Sequence, residues 1–309
     1  MSLDLELDDA QQAIGAALAQ FCRDHPPRET AQSGEFDREH WNGLAELGVL
    51  ALATPDGEGG ALEVIAAMEA LGAAVFAGPL AATFFATQVL PESERRAVSS
   101  GDALVSVGEA PLMAWAPLAD LFLEVEAGRA WLAHPQGAIE AVDTLARDPW
   151  GRVRLEREVE LPGVPRALAL SELARAAYLA AAGQRLLDDA AEHARTRTQF
   201  GRAVGEFQAV AHPLADCSMQ LSAAVALARI AAAAFDAGQP GYASHAAAAR
   251  LSATRAALET AYVCHQVFGA VGIMLEGPAF RVARRVRQLA SEPPAEHGAR
   301  EAVLELFGV

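Results

Sequence analysis

Apolar residues recur every three or four positions through the first hundred residues of the chain. Ile14, Leu18 and Phe21 follow this spacing, and so do Trp41 and Leu44. The spacing places each set on one face of a helix, and turn residues or prolines separate the sets. The pattern predicts four helices, near residues 11–25, 38–48 and 62–76 and after Pro79.

Between residues 101 and 165 the helical spacing disappears. Short runs alternate apolar and polar residues or favour β-branched and aromatic types, and Gly and Pro separate them. The runs are ALVSVG, LFLEVEAG, RAWLAH and RVRLEREVEL. They predict a small β region of about 65 residues, which would bury a modest core and depend on its neighbours.

From Ala167 onward the chain is rich in alanine and again has helical spacing. The long segments cover residues 167–200, 207–238 and 242–272, with a basic helix after them. Small side chains allow helices to approach closely, which favours a bundle that also forms a subunit interface. The predicted fold class is α+β, mainly α. Its domains are an N-terminal helical domain (1–100), a shortened middle β domain (101–165) and a C-terminal four-helix bundle (166–309).

Composition excludes several functional classes. Hydrophobic types make up 52% and charged types 21% of the chain, which is typical of a globular protein. All 24 basic residues are Arg and the net charge is −16, so a nucleic-acid partner is not expected. No uninterrupted apolar stretch of about 18 residues predicts a membrane span, and the acidic start lacks the basic region of a secretory signal. The three scattered cysteines fit reduced thiols, so we expect a cytoplasmic protein.

Common catalytic and nucleotide-binding motifs are missing from the sequence. A phosphate-binding loop of the G-x-x-x-x-G-K type requires a Lys, and the chain has none. No strand-associated G-x-G-x-x-G and no G-x-S-x-G occurs. A di-iron site in a helical bundle would need two Glu-x-x-His pairs, whereas the chain has a single Asp37-x-x-His40. We therefore expect no metal site.

A cluster of arginines marks the end of the first long C-terminal helix. Arg195, Arg197 and Arg202 lie within eight residues of one another, close to Gly201. The planar guanidinium can donate two parallel hydrogen bonds to phosphate oxygens. A solvated helix end beside the negative end of the helix dipole would have the same composition, so spacing alone leaves both interpretations open.

This segment also carries a family resemblance. Arg197-x-x-Phe200-Gly201, with Gln208 and a later Leu-Ala-Asp, resembles the R-x-x-F-G…Q…L-A-D signature of the acyl-CoA dehydrogenases. A second signature of that family, Q-x-x-G-G-x-G, is similar to Gln266-x-x-Gly269-Ala-x-Gly. The usual spacing then continues to Glu276 and Arg284. In the first hundred residues the segments around Trp41, Pro55 and Met68 to Gly72 resemble the family's N-terminal helical domain.

The resemblance implies an oxidoreductase that binds FAD at a subunit interface. In this family the α-proton of an acyl-CoA thioester goes to a carboxylate base while a hydride passes from the β-carbon to flavin N5. The cofactor-binding residues that the resemblance implies are Arg197, Gln199, Phe200 and Gln208 against the flavin of a neighbouring subunit, and Gln266 and Gly269 at its adenosine end.

The sequence departs from the family at the catalytic base. The commoner base position falls on Pro293, and the alternative position falls on Arg255, which cannot accept a proton at neutral pH. Glu292 lies one residue from the first position, but Ser-Glu-Pro-Pro lacks the family's glycine turn, so we expect Glu292 to be a solvated loop residue. The family's flavin-contacting strand motif, T-E-P-x-x-G-S-D, is also missing from residues 101–165. The catalytic residue therefore stays unknown at this stage.

These departures favour one hypothesis over two others. The chain resembles the short, degenerate subunit of bacterial α2β2 acyl-CoA dehydrogenases, which would pair with a longer subunit and act on a bulky, for example steroid-derived, acyl-CoA. The alternatives are a self-sufficient homo-oligomer that uses Glu292 or an unrecognised base, and a flavin-free structural or binding protein on the same scaffold.

Outside these motifs, we expect His212 and His265 to be packed or at an interface. We expect the arginines 281, 284, 285 and 287 to form a solvated or interface stripe. Cys264 has no neighbouring base that would make it a nucleophile.

Overall fold

The computed structural model describes residues 5–26, 36–275, 277–293, 300 and 303–304. Helices occupy both ends of the chain and strands lie between them, as the α+β, mainly helical prediction requires. The helices are α1 (Asp9–Asp24), α2 (Arg38–Glu46), α3 (Ala61–Ala73), α4 (Leu80–Val89), α5 (Glu92–Ser99), α6 (Val164–Thr196), α7 (Gln208–Asp236), α8 (Tyr242–Phe268) and α9 (Pro278–Ser291). The strands are β1 (Val105–Gly108), β2 (Leu112–Ala114), β3 (Leu121–Glu126), β4 (Arg129–Pro135), β5 (Glu140–Val142), β6 (Trp150–Arg152), β7 (Leu155–Leu161), β8 (Thr198–Gln199) and β9 (Arg202–Ala203).

Local sequence signals determine where the first two helices begin and which of their faces is buried. Asp8 begins α1 through a reciprocal capping box with Gln11, and Asp37 caps α2 by accepting from two backbone N–H groups. The apolar spacing predicted for these helices becomes a buried face, with Leu18 and Trp41 enclosed in the core. The four predicted helices correspond to α1–α4, and the short helix α5 follows Pro91 without having been predicted.

Two small sheets form the middle of the chain. In the first, β1 pairs parallel to β3, and β3, β4 and β7 continue antiparallel. The second is β2-β6-β5, also antiparallel. The four predicted runs became β1, β3, β4 and β7, and the three-residue strands β2, β5 and β6 were not anticipated. The inward face of the first sheet packs on α4 through Leu123 and Phe85.

The last part of the chain forms a bundle of α6, α7, α8 and α9, with α6 also packed against α3 and α4. The helical prediction through residue 200 was too long: α6 ends at Thr196, and β8 and β9 form a hairpin after it. Among the residues described, α7 is the one helix long and apolar enough to cross a membrane, a criterion that core helices of soluble proteins also meet. Here α7 packs against α3, α6 and α8.

One hydrophobic core joins the N-terminal helices to the bundle. Met68 and Leu71 of α3 belong to the same buried cluster as Leu173 and Leu186 of α6. Asp236, at the end of α7, accepts hydrogen bonds from the first backbone N–H groups of α3 and so caps that helix across the core. The division into three domains stays a prediction, since the first and third parts share this core.

Candidate functional site

The β8–β9 hairpin presents Arg197 at the end of α6. Arg197 is the residue that terminates the helix, and its backbone N–H donates to the carbonyl of His193. Its backbone carbonyl accepts from Val204, which closes the hairpin. The side chain is exposed and has no hydrogen-bond or ionic partner within the described part of the chain. Its neighbour Arg195, in contrast, pairs with Glu192 at 2.9 Å.

Phe200 stands at the tip of this hairpin in a conformation that needs an explanation. Its φ is +52°, a left-handed backbone that a phenylalanine rarely adopts, and its side chain is 92% exposed. The Phe207 ring packs edge-on against the Phe200 ring, with ring centroids 6.2 Å apart, and the Arg202 guanidinium lies over the Phe207 ring. A strained backbone that holds a large apolar side chain in solvent is typical of a residue that contacts a ligand or another subunit. Gln199 and Gln208 are also exposed, at the hairpin and at the start of α7.

The second predicted motif lies at the end of α8. Gln266 is exposed in the last turn, and Gly269 ends the helix with φ +60° and ψ −133°, a combination that is almost restricted to glycine. Both residues line a surface pocket of about 320 Å³. Arg287 and His265 also line this pocket, and the His265 Nδ1 atom is buried without a hydrogen-bond partner.

The fold brings the two motifs to the same end of the bundle. His193, one turn before Arg197, packs against Phe268, the residue before Gly269, with ring centroids 5.0 Å apart and the ring planes tilted by 51°. Glu276, the next residue in the predicted spacing, lies outside the described residues. Of the two histidines expected to be packed or at an interface, His265 lines this pocket and His212 is exposed on α7.

This end of the bundle fits the dinucleotide part of FAD. The Arg197 guanidinium can neutralise a diphosphate, and the open backbone at Gly269 allows close approach, because a Cβ placed there would meet no atom within 4 Å. The pocket volume of about 320 Å³ is within the range of small-molecule pockets. The arrangement can hold phosphate and nucleoside groups, and it contains no carboxylate among the lining residues.

A second cavity lies where the three parts of the chain meet, and it is small. It is about 40 Å³, enough for a few water molecules. Its walls come from α3 and the segment before α4, from the β region and from the bundle. Six charged side chains, which we call the junction cluster, are buried at or beside it: Asp148, Glu172, Arg175, Arg250, Arg285 and Glu292. A flavin ring does not fit this space without displacing them.

The junction cluster corrects two expectations from the sequence. Glu292 is not a solvated loop residue: it is 8% exposed, and its carboxylate lies 3.6 Å from the Arg175 Nε atom. Arg285 is not part of a solvated stripe, because it is buried and paired with Asp148. Arg281 and Arg287 do lie on the exposed side of α9, and the half-buried Arg284 donates to the Leu145 carbonyl.

The structure does not assign a catalytic base. Arg255 is exposed on α8 and Pro293 is exposed after α9, so neither sequence position provides a carboxylate. Glu292 lines the small cavity; burial raises its pKa, and Arg175 opposes this rise. Burial also raises the pKa of the Cys264 thiol to about 12, as expected for an unreactive cysteine.

Sequence reasoning missed Asp148 and Arg175. Asp148 lies 137 residues before its partner Arg285, and Arg175 lies in the middle of an alanine-rich helix. The only available signal was a charged residue within an otherwise apolar face of α6. No group of three or more metal-ligating side chains occurs among the described residues, where Asp37 and His40 simply pair at 3.3 Å.

Comparison with known proteins identifies the family. The acyl-CoA dehydrogenase N-terminal domain model matches residues 8–93, and the C-terminal domain model matches residues 164–304. Acyl-CoA dehydrogenase FadE27 of Mycobacterium tuberculosis is 30% identical over 270 residues, which cover 69% of this chain and 72% of that protein.

Solved structures share the fold over nearly the whole chain. The ChsE4-ChsE5 complex from Mycobacterium tuberculosis has a TM-score of 0.85 at 25% identity and covers 99% of both chains. The Tcur3481-Tcur3483 steroid ACAD has a TM-score of 0.84 at 20% identity, with 97% and 98% covered. The FAD complex of PigA has a TM-score of 0.82 at 18% identity, with 99% of each chain covered. The chain belongs to the acyl-CoA dehydrogenase family of oxidoreductases, whose cofactor is FAD.

Proposed function

We propose that this chain is the subunit of a heteromeric acyl-CoA dehydrogenase that supplies contacts to the dinucleotide part of FAD and does not supply the base. A longer family member would provide the flavin-ring pocket and the catalytic carboxylate. Together they would carry out α,β-desaturation of an acyl-CoA thioester. The ChsE4-ChsE5 complex, a structural neighbour made of two different subunits, supports this assignment.

One observation carries the proposal: the two halves of a flavin site have opposite properties in this chain. The end of the bundle is open, with an unpaired Arg197 and a pocket of about 320 Å³. The junction of the three parts is closed by buried ion pairs around about 40 Å³. A chain built in this way can hold a diphosphate that extends from another subunit, whereas its own junction has no space for the ring.

The proposal is tested by comparing the chain alone with the chain co-expressed with a longer family subunit. Alone, it should purify with little flavin and no acyl-CoA-dependent reduction of an artificial electron acceptor. Together, the complex should be yellow and active. Arg197→Ala should raise the dissociation constant of FAD from the complex about 10- to 150-fold, because a charge-assisted hydrogen bond contributes about 1.5–3 kcal/mol.

Arg195→Ala is the matched control for this experiment. It removes an equally exposed guanidinium two residues away, but one that already pairs with Glu192. Flavin affinity should therefore stay within about twofold of the unmodified complex. A lone chain that retains stoichiometric FAD and oxidises acyl-CoA would overturn the proposal. Co-expression that never gives a flavin-containing complex would favour the flavin-free scaffold instead.

A second candidate function, a self-sufficient dehydrogenase, is favoured by one observation. Glu292 lines the small cavity, and burial raises its pKa, as is common for catalytic carboxyl groups. Under this alternative the chain would form homo-oligomers and Glu292 would take the α-proton. The junction cluster would then have to rearrange to admit substrate and flavin.

Glu292→Gln separates the two functions. The amide has the same shape but accepts no proton, so a self-sufficient enzyme should lose at least about 100-fold in kcat while it retains FAD. In the heteromeric enzyme the same substitution should leave kcat unchanged within about twofold. The measurement is steady-state turnover with flavin content determined on the same samples.

The proposal extends to the acyl group of the substrate and to the location of the protein. The similarity in fold to a steroid ACAD supports a bulky acyl-CoA in lipid metabolism as the substrate class. The three free cysteines support a cytoplasmic protein. Profiling acyl-CoA esters of increasing ring content against the co-expressed complex would test the first point.

A further inference from the structure

The junction cluster is built from three acidic and three basic side chains. Five of them come from the bundle: Glu172, Arg175, Arg250, Arg285 and Glu292. The sixth, Asp148, comes from the loop between β5 and β6. Without Asp148 the buried bundle side would hold three guanidinium groups and two carboxylates. The β region therefore delivers the one anion that balances the charge of the cluster.

Asp148 is held in the way that proteins hold a bound carboxylate. Its Oδ2 atom accepts from Arg285 Nη1 and, at 2.7 Å, from Gln288 Nε2. A guanidinium together with a side-chain amide is a common donor set for a carboxylate ligand. Asp148 is 5% exposed and Arg285 is 7% exposed, so the pair is shielded from solvent.

Backbone groups of the loop that carries Asp148 form hydrogen bonds with side chains of α9. The Ala146 N–H donates to Gln288 Oε1 at 2.6 Å, and the Leu145 carbonyl accepts from Arg284. Within the loop, Thr144 Oγ1 donates to the Asp148 carbonyl at 2.9 Å. These contacts position the carboxylate through hydrogen bonds between segments more than 130 residues apart in sequence.

The bundle side of the cluster still has unused donors. Arg175 Nε and Arg250 Nη1 are buried without a hydrogen bond, although both residues take part in ion pairs. Arg175 lines the cavity of about 40 Å³ together with Arg285, Glu292 and Asp148. Removing the Asp148 side chain would enlarge this cavity beside a buried guanidinium that has lost its partner.

We propose that the bundle side of the junction cluster is a carboxylate-binding site whose ligand is the chain's own Asp148. The loop supplies this ligand at a high effective concentration, so an external carboxylate does not compete in the unmodified protein. When the internal ligand is removed, a small free carboxylate occupies its place. The inference concerns this chain by itself and does not rest on the proposed partner.

The test uses the full chain with Asp148→Ala. In chloride the variant should unfold about 5–15 °C below the unmodified chain, because Arg285 is left buried and uncompensated. Replacing chloride by formate at the same ionic strength should restore about half or more of this loss. The unmodified chain should show the same melting temperature in both salts.

Asp148→Ala/Arg285→Met is the matched control, because it removes the guanidinium along with the carboxylate. Its melting temperature should be equal in formate and chloride. The response of Asp148→Ala should also decrease from formate to acetate to the branched pivalate, because the vacancy is small. If Asp148→Ala does not accumulate in folded form, its refolding yield in formate and in chloride gives the same comparison.

Two results would overturn the inference. One is an Asp148→Ala variant whose stability or refolding yield is the same in formate and in chloride. The other is a response to formate that the double variant shows to the same extent, since formate would then act on the protein in general. A response without dependence on carboxylate size would count against the site as well.

Discussion

Arg197 and Arg285 carry the same guanidinium group in different surroundings. Arg197 lies exposed at the end of α6, so its donors are available to a ligand at little desolvation cost. Arg285 carries the same group but is buried against Asp148. Because an unpaired buried cation costs several kcal/mol, Arg285 requires an internal partner and Arg197 does not. Burial rather than residue type therefore decides which of the two guanidinium groups is available to a ligand.

Cys22 allows a prediction at the level of a single thiol. Burial raises its pKa to about 11 from the usual 9.0, and the nearby Arg23 only partly opposes this rise. At pH 8 the thiolate population should therefore be about 100-fold below that of an ordinary cysteine. Alkylation of Cys22 by iodoacetamide, followed by mass spectrometry, should accelerate about tenfold per pH unit between pH 8 and 10.

The urea-unfolded chain serves as the control for Cys22, and its alkylation rate should level off near pH 9. The folded state holds the proton more tightly than the unfolded state does. Its stability should therefore fall as the pH rises from about 9 to about 11. A plateau in the alkylation rate of the folded chain below pH 9.5 would contradict the assigned environment of Cys22.

At the level of elements, the spacing of apolar residues was sufficient to predict a helix where the helix is long and one of its faces is buried. The helices α1, α3 and α6 to α8 repeat apolar residues over three or more turns, so their existence was predictable. The strands β2 and β5 contain three residues each, too few to show alternation. The end of α6 was placed too late because Arg197 to Phe200 continue a helix-compatible composition, whereas the Phe200-Gly201 turn reverses the chain.

The candidate site was predictable only in part, and for a physical reason. The residues Arg197, Gln266 and Gly269 could be predicted as cofactor contacts because each belongs to a local sequence motif, and that role stays a prediction. The contacts of Asp148 with Arg285 and Gln288 depend on how the β5–β6 loop docks on α9, and no local pattern encodes that docking. For the same reason Glu292 was interpreted as solvated, since only the tertiary structure places it beside Arg175.

At the scale of the whole molecule, the first and last parts of the chain form one packed body. The helices α3 and α6 approach so closely at Gly72 that a Cβ placed there would lie 2.4 Å from the Tyr178 carbonyl oxygen. The Tyr178 hydroxyl in turn donates to the Phe76 carbonyl at 2.7 Å, just beyond the end of α3. Because these contacts cross between the N-terminal helices and the bundle, the two parts should unfold together.

Gly72→Ala tests this shared core, with Gly15→Ala as its control. Both residues lie inside helices, where Ala by itself favours the helix by up to about 1 kcal/mol. A Cβ at Gly15 would have its nearest atom at 3.7 Å, so Gly15→Ala should leave the free energy of unfolding unchanged or raise it by up to about 1 kcal/mol. Gly72→Ala should lower the free energy of unfolding by about 1–3 kcal/mol, because the clash with the α6 backbone exceeds the gain in helix propensity.

Urea titrations followed by circular dichroism and by tryptophan fluorescence should give coincident transitions in both variants. Two separated transitions in Gly72→Ala would show instead that the N-terminal helices unfold independently of the bundle.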